Sequence, residues 1–207
     1  MIRIYGGSGT RSIKVVWMAE EMGLDYELVP INVMAPDRPP EFLAISPTGM
    51  VPALADGDVT MVESVAMLEY LGGRYGPTPL TPPPGAADYP AYLQFLHYGE
   101  ASFAAVLGVA MGSRFFAPEE HRDNWGGKAA IDGAVRRSIL PANALKKSPF
   151  VAGETFTAAD ISVSYALDLA SFLGFTDRLD PVLLDYHERL KARPAQQRAR
   201  ARSVMPA

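Results

Sequence analysis

The 207-residue chain contains no cysteine. That excludes structural disulfides, thiolate metal ligation and a Cys-x-x-Cys redox role. If sulfur chemistry occurs here, the sulfur belongs to a ligand. Histidine is scarce, and His97, His121 and His187 share no metal-ligand spacing, so no metal is expected. Excess positive charge is also missing: the net charge is −4, and no nucleic-acid partner is expected. No long hydrophobic run is present. The uncharged stretch 101–113 falls short of the roughly 20 residues a membrane helix needs. The first residues, Met1, Ile2, Arg3, Ile4 and Tyr5, open directly in a strand pattern and do not read as a secretory leader. These absences predict a cytoplasmic protein without a membrane partner.

What is present describes a globular protein, with 48% hydrophobic and 20% charged residues. The length suits one large or two modest domains. Charge is unevenly spread. Residues 1–77 carry 5 basic and 10 acidic side chains, and residues 78–207 carry 14 and 13. The clearest boundary is the stretch 76–85, where five prolines in ten residues exclude helix or sheet and predict a stiff linker. The expected organisation is a domain over 1–77, a Pro-rich linker over 78–86 and a second domain over 87–207.

In the first part, residues 2–5 read as a strand and 10–22 as a helix that Gly23 stops. Residues 26–33 read as a second strand, which Pro30 demotes to an edge or ends. A short helix at 41–45 follows, then strands at 51–55 and 59–62 around a hairpin turn at 56–58, then a helix at 64–75. After the linker every segment reads as helix: 89–116, 119–143, 161–172, 181–192 and 195–202. Thr157 with Asp160 three residues on reads as a helix start. Trp125, Gly126 and Gly127 read as a loop.

The most informative stretch is 46–70. Ser46, Pro47, Thr48 and Gly49 lead to Val51, Pro52, Ala53 and Leu54. A proline among apolar residues after a glycine turn implies an edge, a bulge or a cis bond. Glu63 and Ser64, at a helix start, offer free backbone N–H groups to an anion. The two features together suit one end of a peptide.

These pieces, with the Pro-rich linker and Thr157-x-x-Asp160, resemble the cytosolic glutathione transferases over nearly the whole chain. The resemblance implies an α/β thioredoxin-like N-terminal domain and an all-α C-terminal domain. It implies that Val51 pairs through its backbone with the cysteinyl unit of glutathione, and that Pro52 holds a cis bond. Ser64 would take the γ-glutamyl carboxylate and Glu63 the ammonium. Family members often carry a polar residue for the glycine carboxylate where this chain has Met50, and Arg38 is a substitute from the preceding loop. The family also implies a homodimer, built on the helices from Ser64 and from Tyr89, and a detoxification role.

Glutathione chemistry needs a thiolate, and a free thiol has a pKa of about 8.5. Lowering it by two units takes about 2.7 kcal/mol of preference for the anion. A hydroxyl and the N-terminus of the first helix are the expected source. The hydroxyl is expected at the junction of the first strand and helix, the family register places the active region at 9–12, and the candidates in order are Thr10, Ser12 and Ser8. Each also suits a helix cap. Arg11 is either an electrostatic aid to the thiolate or a solvated first-turn residue. A small apolar electrophile is the expected second substrate, with Tyr98, Phe103 and Arg114 among its wall residues. Isomerisation, peroxide reduction, dehalogenation or ligand binding without catalysis are alternatives on the same fold.

Two other patterns carry less. Gly7, Gly9 and their neighbours after a strand suggest a dinucleotide loop, but the last glycine is missing. Residues 189–202 hold six basic and no acidic side chains, which reads as a solvated terminal helix.

Overall fold

The computed structural model describes residues 1–7, 9–35 and 37–203. Ser8, the third hydroxyl candidate, lies outside the described residues. The chain forms two compact units, residues 1–78 with 191–207, and residues 79–190. Residues 191–203 thus group with the sheet-bearing unit and not with the helices that precede them in sequence.

The first unit carries β1 (Ile2–Gly6), α1 (Ser12–Met22), β2 (Tyr26–Pro30), α2 (Pro40–Leu43), β3 (Ala53–Asp56), β4 (Val59–Val62) and α3 (Ser64–Tyr75). The sheet order is β2-β1-β3-β4, with β1 and β2 parallel and the other pairs antiparallel. This is the thioredoxin-like arrangement. β2 is an edge strand ending at Pro30, where a missing donor does least harm. Ile2, Ile4 and Leu54 are buried with Val15, Val16 and Met18 of α1 and Met67, Leu68 and Leu71 of α3. On the other face Tyr5, Ile31, Phe42 and Ala53 cluster, with the Tyr5 and Phe42 rings 5.8 Å apart. Gly23 takes a left-handed φ of 63° and closes α1, while the Leu24 N–H reaches back to the Ala19 carbonyl.

The second unit is helical: α4 (Tyr89–His97), α5 (Ala105–Met111), α6 (Trp125–Leu145), α7 (Ala158–Leu173) and α8 (Pro181–Lys191). The rod expected over 89–116 is continuous, but wound as π-helix at Tyr98–Ala104 and Gly112–Phe116. A cause is visible at the first of these. Ser162 of α7 donates its hydroxyl to the Leu96 carbonyl at 2.7 Å, intruding on the helical ladder. A side chain at Gly99 would strike Ser162, so glycine permits the close approach. Asp160 anchors α7. It is fully buried and accepts the Thr157 N–H at 2.8 Å, the Val151 N–H at 3.0 Å and the Tyr186 hydroxyl at 2.7 Å.

The expected loop at 125–127 is the first turn of α6. Asn124 caps it, accepting the Gly127 N–H at 3.0 Å, and its cap role outweighs the paired glycines. Residues 119–121 form only a short 3₁₀ turn. The last helix, α9 (Pro194–Ser203), belongs to the first unit and packs on α1.

Candidate functional site

The sheet register gathers the site. Tyr5 pairs with Ala53, and Ala53 pairs with Val62. The segment after β1, the segment before β3 and the segment after β4 therefore emerge at one end of the sheet. They carry Thr10 and Ser12, Val51 and Pro52, and Glu63 and Ser64.

The β1–α1 loop is knitted by hydroxyls. The Gly7 N–H donates to Ser12 Oγ at 3.0 Å, and Thr10 Oγ1 donates to the Gly7 carbonyl at 2.8 Å. Ser12 Oγ lies 3.1 Å from that carbonyl and 2.7 Å from Thr10 Oγ1. Ser12 has no exposed surface, so it holds the loop and does not face a ligand. Thr10 is half-buried and is the accessible member of the pair. Arg11 is half-buried at the N-cap position of α1.

Before β3, the Val51–Pro52 bond is cis. Pro52 is buried and Val51 half-buried. Among the described residues, the Val51 backbone forms no hydrogen bond. The turn ahead of it is fixed by Ser46, whose buried hydroxyl donates to the Met50 carbonyl at 2.9 Å. Met50 itself is 66% exposed. Arg38 donates to the carbonyls of Gly49, Ala35 and Val33, so it braces this loop.

After β4, Glu63 sits at φ 75° and ψ 105°, a backbone region unfavourable to any residue with a Cβ. Its side chain is exposed and forms no hydrogen bond or ion pair among the described residues. Ser64 is 3% exposed and begins α3, a 12-residue helix. The first-turn N–H groups of α3 point out of its N-terminus, where an anion is favoured.

A family model for the N-terminal domain of glutathione S-transferases matches residues 9–79. Glutathione S-transferase 3 of Schizosaccharomyces pombe is 30% identical over 81% of this chain and 73% of its own length. The chain belongs to the glutathione S-transferase family. A disulfide-bond oxidoreductase of Escherichia coli, YfcG, is 27% identical over 94% of this chain and 92% of its own. Among solved structures, the glutathione transferase URE2P6 of Phanerochaete chrysosporium, in complex with oxidized glutathione, superposes with a TM-score of 0.86 at 27% identity, covering 98% of this chain and 97% of that one.

In this glutathione transferase the helical unit treats the remaining candidates differently. Phe103 is fully buried in helix packing and offers no surface to a ligand, a correction to its expected place in a pocket wall. Arg114 is engaged by Asp123 at 3.0 Å and by the Leu173 carbonyl at 2.7 Å. Tyr98 donates to the Arg137 carbonyl at 3.0 Å, and burial raises its hydroxyl pKa against the opposing Arg137 charge. The Phe115 and Phe172 rings lie 5.2 Å apart at a tilt, and Phe116 and Trp125 are exposed. No cluster able to hold a metal occurs among the described residues. Among the described residues no helix is long and apolar enough to cross a membrane.

The sequence reading missed one feature of the transferase's first unit. The basic stretch near residue 200 is solvated as expected on its outer side, but it is also engaged with α1. Arg193, Arg198 and Arg202 clasp Glu21 and Glu20 of α1. The signal was available as spacing, since 198 and 202 share one face of a helix.

Proposed function

We propose that the chain binds glutathione at this end of the sheet, stabilises its thiolate and directs it at a small apolar electrophile. The observation carrying this reading is the Tyr5–Ala53–Val62 register. It gathers a hydroxyl loop, an unpaired backbone segment and a helix N-terminus at one end of the sheet. The Val51 N–H and C=O suit the cysteinyl unit as an added strand pairs with a sheet edge. Ser64 and the first turn of α3 suit the γ-glutamyl carboxylate, and the unpaired Glu63 carboxylate suits the ammonium. Strain held at Glu63 accords with a backbone kept for function.

Thr10 supplies the hydroxyl. At rest its proton goes to the Gly7 carbonyl, and Ser12 Oγ lies within hydrogen-bond reach of both Thr10 Oγ1 and that carbonyl. With a thiolate in place, Thr10 turns its proton to the sulfur and Ser12 turns its own to the Gly7 carbonyl, already 3.1 Å away. The carbonyl stays satisfied throughout, so the switch leaves no buried acceptor orphaned. The nucleophilic sulfur then bonds to the electrophilic carbon, and the leaving group departs with the bonding pair. Met50 leaves the glycine carboxylate without a charged partner from that position. A homodimer and a cytoplasmic location complete the proposal.

Ligand binding without turnover is the second reading. The inward hydrogen bonds of Thr10 and Ser12 favour it, as does Met50. Other glutathione-dependent reactions on the same site are sorted by substrate panels. Calorimetric titration with glutathione, paired with a chloro-dinitrobenzene conjugation assay, separates these. Binding with turnover supports the transferase. Binding alone supports the second reading, and no binding at millimolar glutathione overturns both.

A further inference from the structure

Glu20 and Glu21 stand at the C-terminal end of α1, where the helix dipole disfavours negative charge. Both carboxylates are nonetheless largely buried, at 7% and 12% side-chain exposure. Their compensation comes from α9 and the residue before it. Arg193 forks onto Glu21 at 2.7 and 2.9 Å. Arg198 binds Glu20 at 2.6 Å and also the Glu20 backbone carbonyl at 3.3 Å. Arg202 reaches the other Glu20 oxygen at 3.0 Å, with its guanidinium 5.3 Å over the Tyr26 ring. Tyr26 donates to Glu20 at 2.7 Å and Trp17 to Glu21 at 2.9 Å. Beneath the arginines, Ala195 and Ala199 are buried, one turn apart, and let the two helices approach closely.

We infer that Arg193 and Arg198 are positioning residues for the reaction: they pin the far end of α1 and thereby set where its near end holds the Thr10–Ser12 loop. The inference rests on the proposed glutathione chemistry for its functional consequence. α1 is a single unbroken helix of 11 residues, so it transmits displacement from one end to the other as a rigid body. The loop is tied directly to it, because Ser12 is both the first residue of α1 and the acceptor of the Gly7 N–H. A shift of α1 therefore moves the loop's hydrogen bonds directly. Side-chain pairs that are bidentate and half-buried fix geometry better than exposed ones.

The test compares the unaltered chain with Arg198→Gln, Arg193→Gln, their double variant and Arg198→Lys. Amide hydrogen exchange is followed over residues 9–14, and kcat and the glutathione KM are measured below the melting temperature of each variant. In the double variant, exchange in the loop is expected to quicken by about tenfold or more. A misplaced reacting group is expected to lower kcat by about ten- to a hundredfold, while the glutathione KM moves by less than about threefold because Val51 and Glu63 are untouched. Arg198→Lys, which retains one charged donor, is expected to recover part of kcat. A lowered melting temperature with unchanged loop exchange and unchanged kcat would reduce the clasp to a stabilising contact and overturn the inference. If the unaltered chain shows no turnover, the conjugation reading fails, and loop exchange alone then decides the clasp: quickened exchange supports it and unchanged exchange overturns it.

Discussion

Thr10 Oγ1 and Ser12 Oγ lie 2.7 Å apart and share the Gly7 carbonyl as an acceptor. Either hydroxyl can serve that carbonyl, so when Ser12 takes it over, a bond from Thr10 to a ligand replaces the internal one given up. The exposed member can therefore lend its proton to a ligand.

Thr10→Ala is expected to lower kcat/KM by about tenfold or more, the scale of one lost hydroxyl donor. Thr10→Ser is expected to retain most of it. Ser12→Ala removes no ligand contact but leaves the buried Gly7 N–H without its acceptor. Chemical denaturation should reveal a loss of about 1–3 kcal/mol, alongside a smaller loss of rate than Thr10→Ala. Equal rates for all three variants would remove the hydroxyl from the mechanism.

Glu63 separates stability from binding. Glu63→Gly relieves the cost of φ 75° and should stabilise the fold by about 1 kcal/mol. The same substitution removes the carboxylate, and calorimetry should record a glutathione Kd raised by about tenfold or more, as for one charged hydrogen bond. Glu63→Ala should weaken binding equally without the gain in stability.

Asp160 is the reverse case, a carboxylate whose loss is structural. Burial raises its pKa, against the hydrogen bonds from Tyr186, Val151 and Thr157 that favour the anion. Asp160→Ala orphans four donor groups on these three residues at once, each worth about 1–3 kcal/mol when left unpaired. Equilibrium unfolding should register a loss of about 3 kcal/mol or more, or no soluble folded protein.

The clasp gives a sign to pH dependence. Burial pushes Glu20 up, but hydrogen bonds from Arg198 and Tyr26 and the charges of Arg202 and Arg198 outweigh it and hold the carboxyl below 4.5. A carboxylate depressed on folding stabilises fully above its unfolded value and loses that contribution as pH falls through the folded one. The difference in unfolding free energy between the unaltered chain and Glu20→Gln should be flat near neutrality and shrink below pH 4.5. A difference that grows on acidification would contradict the assignment.

The sequence displayed the frame of the molecule because the frame is local. Proline between Val51 and Ala53, glycine at 23 and 57, and Thr157 with Asp160 each act within a few residues, and each stands where the pattern placed it. What stayed hidden depends on residues far apart in sequence. Whether Thr10 or Ser12 faces outward is decided by the Gly7 peptide, and spacing cannot report a peptide's orientation. Phe103 and its neighbours share one apolar signature, yet only the fold distinguishes core from wall. Arg38 was free by spacing to reach a carboxylate, but the loop's own carbonyls claim it. The second cis bond, Gly76–Pro77, lay unremarked in a proline run that offered several equivalent positions.

The clasp also sets a timetable for synthesis. Arg193 and Arg198 lie 172 and 178 residues beyond the carboxylates they hold. At about 5–20 residues per second, the ribosome delivers them roughly 10–35 s after α1. Through that interval Glu20 and Glu21 have no arginine partner from α9, while the entire helical unit of 79–190 emerges. The unit whose synthesis begins first is the last to be completed.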